Sequence, residues 1–101
     1  IDIGGGSGGL AGALCVLEPE RRAILFELPR NARLTAALLQ ETPGGERVTT
    51  LAGDILAGPP PGSYDLAVLR ALVQVLGPDE AGLAIRHAAA AVRPKTTAIS
   101  A

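Results

Sequence analysis

The amino end of the chain, IDIGGGSGGL, has glycine at five of the six positions from 4 to 9. Glycine loses more conformational freedom on folding than any other residue, so this cluster weakens a fold unless the backbone must turn sharply or lie against another group. Residues 1–3 are typical of the end of a buried strand, and the small and aliphatic residues GLAGALCVL suit a helix packed closely on a sheet. This order of strand, glycine turn and helix predicts a ligand at the turn.

The rest of the chain continues this alternation of apolar runs and helical spacing. Strands are predicted at residues 23–28, 47–54, 64–72 and 96–100, and helices at 30–41 and 78–93, after a first helix that ends before Pro19. The order predicts an α/β fold, a Rossmann-like parallel sheet with helices on both faces. The loop at 57–63 is short, so we expect one domain over residues 1–101. Because methionine is absent and the first residues already read as a strand end, we expect an internal segment of a longer protein, truncated at both ends.

Composition and charge argue against several classes of function. Nine basic and ten acidic residues give a net charge of −1, and the basic residues are scattered, which gives nucleic-acid binding little support. Cys15 has no cysteine partner for a disulfide or a metal site, so we expect a small buried side chain and a reducing, cytoplasmic compartment. The longest apolar stretch contains Arg70 and Gln74 and is too short to span a bilayer.

The glycines fit a nucleotide-binding motif. Gly4, Gly6 and Gly9 satisfy G-x-G-x-x-G, and Glu27 stands about twenty residues on, at the tip of the next predicted strand. In nucleotide-binding folds such glycines allow a tight turn and a close approach of the backbone, while the acid binds ribose hydroxyls. The alternative is a glycine turn that only packs the helix on the strand.

Two further acids bear on which nucleoside is bound. Asp2, immediately before the glycines, would repel the pyrophosphate of a dinucleotide and fits better beside a cation, such as the amino group or sulfonium of S-adenosylmethionine. Asp54 follows the third predicted strand, where an acid can meet the exocyclic amine of adenine.

The chain resembles the S-adenosylmethionine-dependent O-methyltransferases of small molecules in the order and spacing of four blocks: IDIGGGSGG, FELP, AGDIL and YDLAVLRALVQVLGPDE. This family includes plant caffeate-type enzymes and bacterial relatives that act on polyketides and carotenoids. The resemblance implies that residues 2–8 surround the methionine part of the cofactor, that Glu27 binds the ribose, that Asp54 and Ile55 border the adenine, and that Arg70 reaches the cofactor. The implied cofactor-binding residues are Asp2, Gly4, Gly5, Gly6, Glu27, Leu28, Gly53, Asp54, Ile55 and Arg70.

The chain departs from the plant-type pattern at the catalytic base. Those enzymes have a His-Asp-Trp run after the fourth strand, and its histidine takes the acceptor's proton; Gln74, Val75 and Leu76 stand there instead. An amide is not a base near neutral pH, so no catalytic residue is assigned. Some bacterial relatives also lack this histidine. We expect His87, in the last predicted helix, to be a solvated or helix-terminal residue on the outer side of the sheet, and Asp79 and Glu80 to be helix-start acids.

The interpretation is a core that binds S-adenosylmethionine and transfers its methyl group to a hydroxyl of a small molecule, without a metal. By the resemblance, the acceptor is bound by flanking segments, and an N-terminal helical domain makes the full-length protein a homodimer. Two alternatives stay open: an NAD-dependent dehydrogenase on the same fold, and a module that binds the cofactor without transferring methyl.

Overall fold

The computed structural model describes residues 1–70 and 72–94 and the backbone of residues 98–99. Five strands pair in parallel in the order β3-β2-β1-β4-β5. The strands are β1 Asp2–Ile3, β2 Ala23–Glu27, β3 Val48–Ala52, β4 Ala67–Val68 and β5 Ala98–Ile99; the helices are α1 Gly9–Leu17, α2 Pro29–Leu39 and α3 Pro78–Ala90, with a 3-10 turn at Gly45–Arg47. The parallel α/β fold predicted from the alternation is confirmed.

Two hydrophobic cores lie on the two faces of the sheet. Successive side chains of a strand point to opposite faces, and Leu25 and Phe26 of β2 accordingly belong to different cores. Leu25 packs with residues of α1, α2 and β3: Ala11, Cys15, Leu39 and Val48. Phe26 packs with residues of β1, β4 and α3 and of the segments after β3 and β4: Ile3, Ala67, Ala84, Ala88, Ile55 and Leu69. Helices therefore cover both faces, and Cys15 is fully buried as predicted.

The fourth strand is much shorter than the sequence predicts. Only Ala67–Val68 pair within the sheet, and after them the backbone turns, because the N–H groups of Leu72 and Val73 both donate to the carbonyl of Leu69. The prediction of a strand over 64–72 was therefore wrong beyond these two residues, although residue 71 lies outside the described residues. Of the predicted strand 96–100, Ala98–Ile99 is confirmed and residues 96, 97 and 100 lie outside that description.

Helix α1 is held close to the turn that precedes β3. The guanidinium of Arg47 donates to the backbone carbonyl of Cys15, in the last turn of the helix, and to that of Pro19, just beyond it. Carbonyls in the last turn of a helix have no partner within the helix. Gly44 has a φ of +79°, and a Cβ there would overlap the carbonyl oxygen of Gly12 in α1. This close packing fixes the helix that follows the glycine loop.

Candidate cofactor site

The glycine loop, residues 4–8, connects β1 to α1 through backbone conformations that favour glycine. Gly4, Gly6 and Gly8 have φ values of +71°, +64° and +82°, and the N–H of Gly4 donates to the carbonyl of Phe26 at 2.8 Å. Gly6 is exposed, and a Cβ built there would meet no atom within 4 Å. The loop is thus tied to β2 at its start and presents bare backbone to its surroundings.

Helix α2 holds the other side of the glycine loop. The Thr35 hydroxyl, on a residue only 3% exposed, donates to the carbonyl of Gly6 at 3.1 Å. A side chain at Gly8 would overlap Leu39 of the same helix. The sequence analysis missed Thr35; its one signal was a polar residue on the buried side of an amphipathic helix.

Asp2 lies beneath the glycine loop and is 6% exposed. A Cβ at Gly5 would overlap its Oδ2 atom, so the glycine leaves room for the carboxylate against the loop backbone. Burial raises the pKa of Asp2 above its ordinary value of 3.8; the nearby Glu27 adds to this effect, and Arg70 opposes it. A cation bound beside the loop would favour the ionised carboxylate.

Glu27 ends β2 and is 9% exposed. Its carbonyl accepts from the N–H of Gly53 at 2.9 Å, which joins the carboxyl ends of β2 and β3. Leu28 follows as the residue that caps α2. Gly53 has a packing role of its own, since a Cβ there would overlap the ring of Phe26.

Asp54 opens the turn after β3 and is exposed. Its Oδ1 atom accepts from the N–H of Leu56 at 2.9 Å, and its carbonyl accepts from the N–H of Ala57 at 3.0 Å. The Ile55 side chain is 5% exposed and packs in the core beneath α3. One carboxylate oxygen of Asp54 therefore stabilises the turn in which this residue lies, and the buried side chain of Ile55 anchors that turn in the core.

The segment after β4 carries Arg70 and Gln74, both exposed. Arg70 lies two residues beyond Val68, which pairs with Asp2 of β1, and its charge favours the ionised form of Asp2 and so lowers the pKa of that carboxyl. His87 lies in the last turn of α3, as expected, and Asp79 and Glu80 lie in its first turn. Of the two expected environments, helix-terminal is confirmed and solvated is not, because His87 is half-buried and its Nδ1 bonds the carbonyl of Ile55.

All the predicted site residues except Asp2 come at or after the carboxyl ends of neighbouring parallel strands. Asp2 is the first residue of β1, and its carboxylate lies against the loop backbone at Gly5. In the order β3-β2-β1-β4, these ends carry Asp54, Glu27, the glycine loop and Arg70. Ligands of open α/β sheets bind at this edge. A cavity of about 830 Å³ lies elsewhere, at the amino ends of the strands, and Asp2 alone among the predicted site residues borders it.

Comparison with known proteins decides the family. The sequence-family model that describes the O-methyltransferase domain matches residues 1–95. The chain belongs to this family. The resemblance inferred from the four sequence blocks is thereby confirmed.

Two relatives with similar sequences are bacterial O-methyltransferases. The chain is 40% identical over 60 residues to phenazine O-methyltransferase of Lysobacter antibioticus, covering 59% of this chain and 18% of that protein. It is 35% identical over 95 residues to 3-amino-4-hydroxybenzoate 4-O-methyltransferase of Streptomyces cremeus, covering 93% of this chain and 26% of that protein. The chain therefore spans about a quarter or less of the length of these relatives.

Solved structures share the fold over 98% of this chain. The mitomycin 7-O-methyltransferase MmcR superposes with a TM-score of 0.86 at 27% identity, and PigF with SAH superposes with a TM-score of 0.87 at 28% identity. This chain covers 29% and 30% of those two proteins.

Two further properties concern the described part of the chain. None of its helices combines the length and apolar character needed to cross a membrane. Its His, Cys, Asp and Glu side chains form no group of three or more that could hold a metal ion.

Proposed function

We propose that this chain is the cofactor-binding core of an enzyme that transfers the methyl group of S-adenosylmethionine to a hydroxyl of a small molecule. The observation that carries the proposal is the buried carboxylate of Asp2, which lies against the glycine loop. This loop follows β1 at the carboxyl edge of the sheet, where Glu27 and Asp54 end or follow the neighbouring strands. The cofactor has a cationic amino group on its methionine part, a ribose diol and an adenine amine, and these groups match the three acids in order.

Each acid has a distinct part in binding. Asp2 favours the cationic end of the cofactor and gains a partner for a charge that burial disfavours. Glu27 accepts hydrogen bonds from the ribose hydroxyls, and Asp54 with Ile55 borders the base. Leu28, Gly53 and Arg70 complete the edge, while Gly4, Gly5 and Gly6 let the backbone approach the ligand closely.

The bound cofactor supplies an activated methyl group on a positively charged sulfur. The residues of this chain contribute by holding that group in place, since alignment of the acceptor oxygen about 3 Å from the methyl carbon accounts for much of the acceleration in such reactions. Gln74 is exposed after β4 and cannot remove the acceptor's proton. We therefore place no catalytic base within residues 1–94 and propose an acidic acceptor hydroxyl, such as a phenol, that needs little help to lose its proton.

The acceptor class is supported by the relatives' names, which include a hydroxybenzoate 4-O-methyltransferase and a phenazine O-methyltransferase. We further propose that the full-length protein is a cytoplasmic homodimer whose acceptor pocket is completed by segments outside residues 1–101. This rests on the family resemblance.

Calorimetry on the full-length protein tests the cofactor assignment. We expect S-adenosylhomocysteine to bind more tightly than NAD, because a pyrophosphate would lie against the buried carboxylate of Asp2. Tighter binding of NAD would favour a dehydrogenase and contradict the proposal.

The replacement of the family histidine by Gln74 favours one other function, a module that binds the cofactor without methyl transfer. Transfer of a labelled methyl group to a panel of phenols separates the two functions. Methylated product supports the enzyme, whereas tight cofactor binding with no product from any phenol supports the module.

A further inference from the structure

The peptide unit between Ile55 and Leu56 is hydrogen-bonded on both sides. Its carbonyl accepts from Nδ1 of His87 in α3, and its N–H donates to Oδ1 of Asp54 at 2.9 Å. A carbonyl can only accept, so Nδ1 carries the proton in this contact. One peptide unit therefore links the ring of His87 to the carboxylate of Asp54.

This link is fixed at its helical end. The Ile55 side chain is 5% exposed and packs in one core with Ala84 and Ala88 of α3, which flank His87 in sequence. The ring itself is half-buried. Packing and the hydrogen bond thus hold the same peptide against α3. A hydrogen bond to the carbonyl of a peptide also strengthens the hydrogen bond that its N–H donates.

Among the residues that the structure describes, the hydrogen-bond partner of the Asp54 carboxylate is the N–H of this peptide unit. Its Oδ1 atom bonds the N–H of Leu56, and the residue itself is exposed. Rotation of the 55–56 peptide would move the N–H that holds Oδ1 and turn the whole carboxylate. The direction of Oδ2 therefore depends on the orientation of a peptide that His87 fixes.

We propose that His87 is a positioning residue for the adenine of the cofactor. It orients the 55–56 peptide and, through this peptide, turns the carboxylate of Asp54 toward the exocyclic amine of the bound adenine. The inference rests on the proposed function, in which Asp54 borders the adenine. It gives a role to a histidine more than thirty residues away in sequence.

The test uses three variants of the full-length protein and its affinity for S-adenosylhomocysteine by calorimetry. His87→Leu removes the donor and is expected to weaken binding about 3- to 10-fold, the equivalent of one hydrogen bond. His87→Asn keeps an N–H near the position of Nδ1 and is expected to stay within about twofold of the wild type. Arg86→Ala, on the exposed side of the same helix, is expected to leave the affinity unchanged.

A double-mutant cycle separates positioning from a general effect on the fold. If His87 acts through Asp54, His87→Leu causes no further loss of affinity in an Asp54→Ala background. Unchanged affinity in the single variant, or an equal loss in both backgrounds, would overturn the inference while leaving the proposed function intact. A wild-type protein that does not bind S-adenosylhomocysteine would overturn the proposed function and this inference with it.

Hydrogen exchange reports on the contact itself without any ligand. The N–H of Leu56 is expected to exchange faster in His87→Leu and to recover its protection in His87→Asn, because the ring holds the peptide to which this N–H belongs. Equal protection in the wild type and in His87→Leu would show that the ring does not orient the peptide and would also overturn the inference.

Discussion

Replacing Glu27 by glutamine separates cofactor binding from folding. The side chain is 9% exposed, and its negative charge raises the pKa of the nearby Asp2. If the carboxylate accepts hydrogen bonds from the ribose hydroxyls, glutamine still offers one acceptor oxygen but no charge. The expected cost is about 1–1.5 kcal/mol of cofactor affinity, the difference between a hydrogen bond to a charged group and one to a neutral group. This corresponds to binding that is about 5- to 13-fold weaker.

The same change is expected to leave the fold intact. The hydrogen bond that joins Glu27 to Gly53 uses the backbone carbonyl, which the substitution keeps. Glutamine also relieves the repulsion between two buried carboxylates, so the melting temperature is expected to stay constant or rise.

The assay combines calorimetry with S-adenosylhomocysteine and thermal unfolding of the full-length protein. Glu41→Gln, the same substitution at an exposed position beyond α2, is the matched control and is expected to change neither quantity. Unaltered affinity of Glu27→Gln together with a sharp fall in melting temperature would refute the reasoning, because the residue would then be structural.

Three further changes test other parts of the account. Burial raises the pKa of Asp2 in the folded chain, so ionisation of this carboxyl lowers the free energy of unfolding as the pH rises from 3.8 through the raised pKa. Asp2→Asn is therefore expected to raise the melting temperature at pH 7 and to weaken cofactor binding. A lower melting temperature would contradict this. Gln74→Ala is expected to reduce turnover well under a hundredfold, because removing a true general base costs about 10²–10⁴-fold; a thousandfold loss with the natural acceptor would show otherwise. Gly44→Ala is expected to lose roughly 2–5 kcal/mol of stability in chemical denaturation, from its positive φ and its overlap with Gly12, whereas Gly58→Ala, in open space, should be nearly neutral.

Local sequence patterns predicted the order of the fold. The glycine loop, the short apolar run of β2 and the acids of the first turn of α3 each depend on neighbouring residues, and all lie where they were expected. Strand length was less predictable. The run LAVLRAL is apolar except for Arg70. The chain nevertheless leaves the sheet after Val68, because the N–H groups of Leu72 and Val73 bond back to Leu69.

The sequence predicted the site residues that lie at the ends of strands, but it did not predict those that reach the site through tertiary contacts. Glu27 and Asp54 follow apolar runs, so a parallel sheet brings them to one edge. Thr35 contacts the glycine loop from 29 residues away, and His87 contacts the turn after β3 from 32 residues away. No local pattern marks such pairs, because they follow from how helices α2 and α3 pack on the sheet.

The most direct test of the central claim is a crystal structure of the full-length protein with S-adenosylhomocysteine. The account predicts the ribose hydroxyls within hydrogen-bonding distance of the Glu27 carboxylate, the amino acid end beside the glycine loop above Asp2, and the adenine beside Asp54. A ligand bound instead in the cavity of about 830 Å³ at the amino ends of the strands, with the carboxyl edge empty, would contradict it.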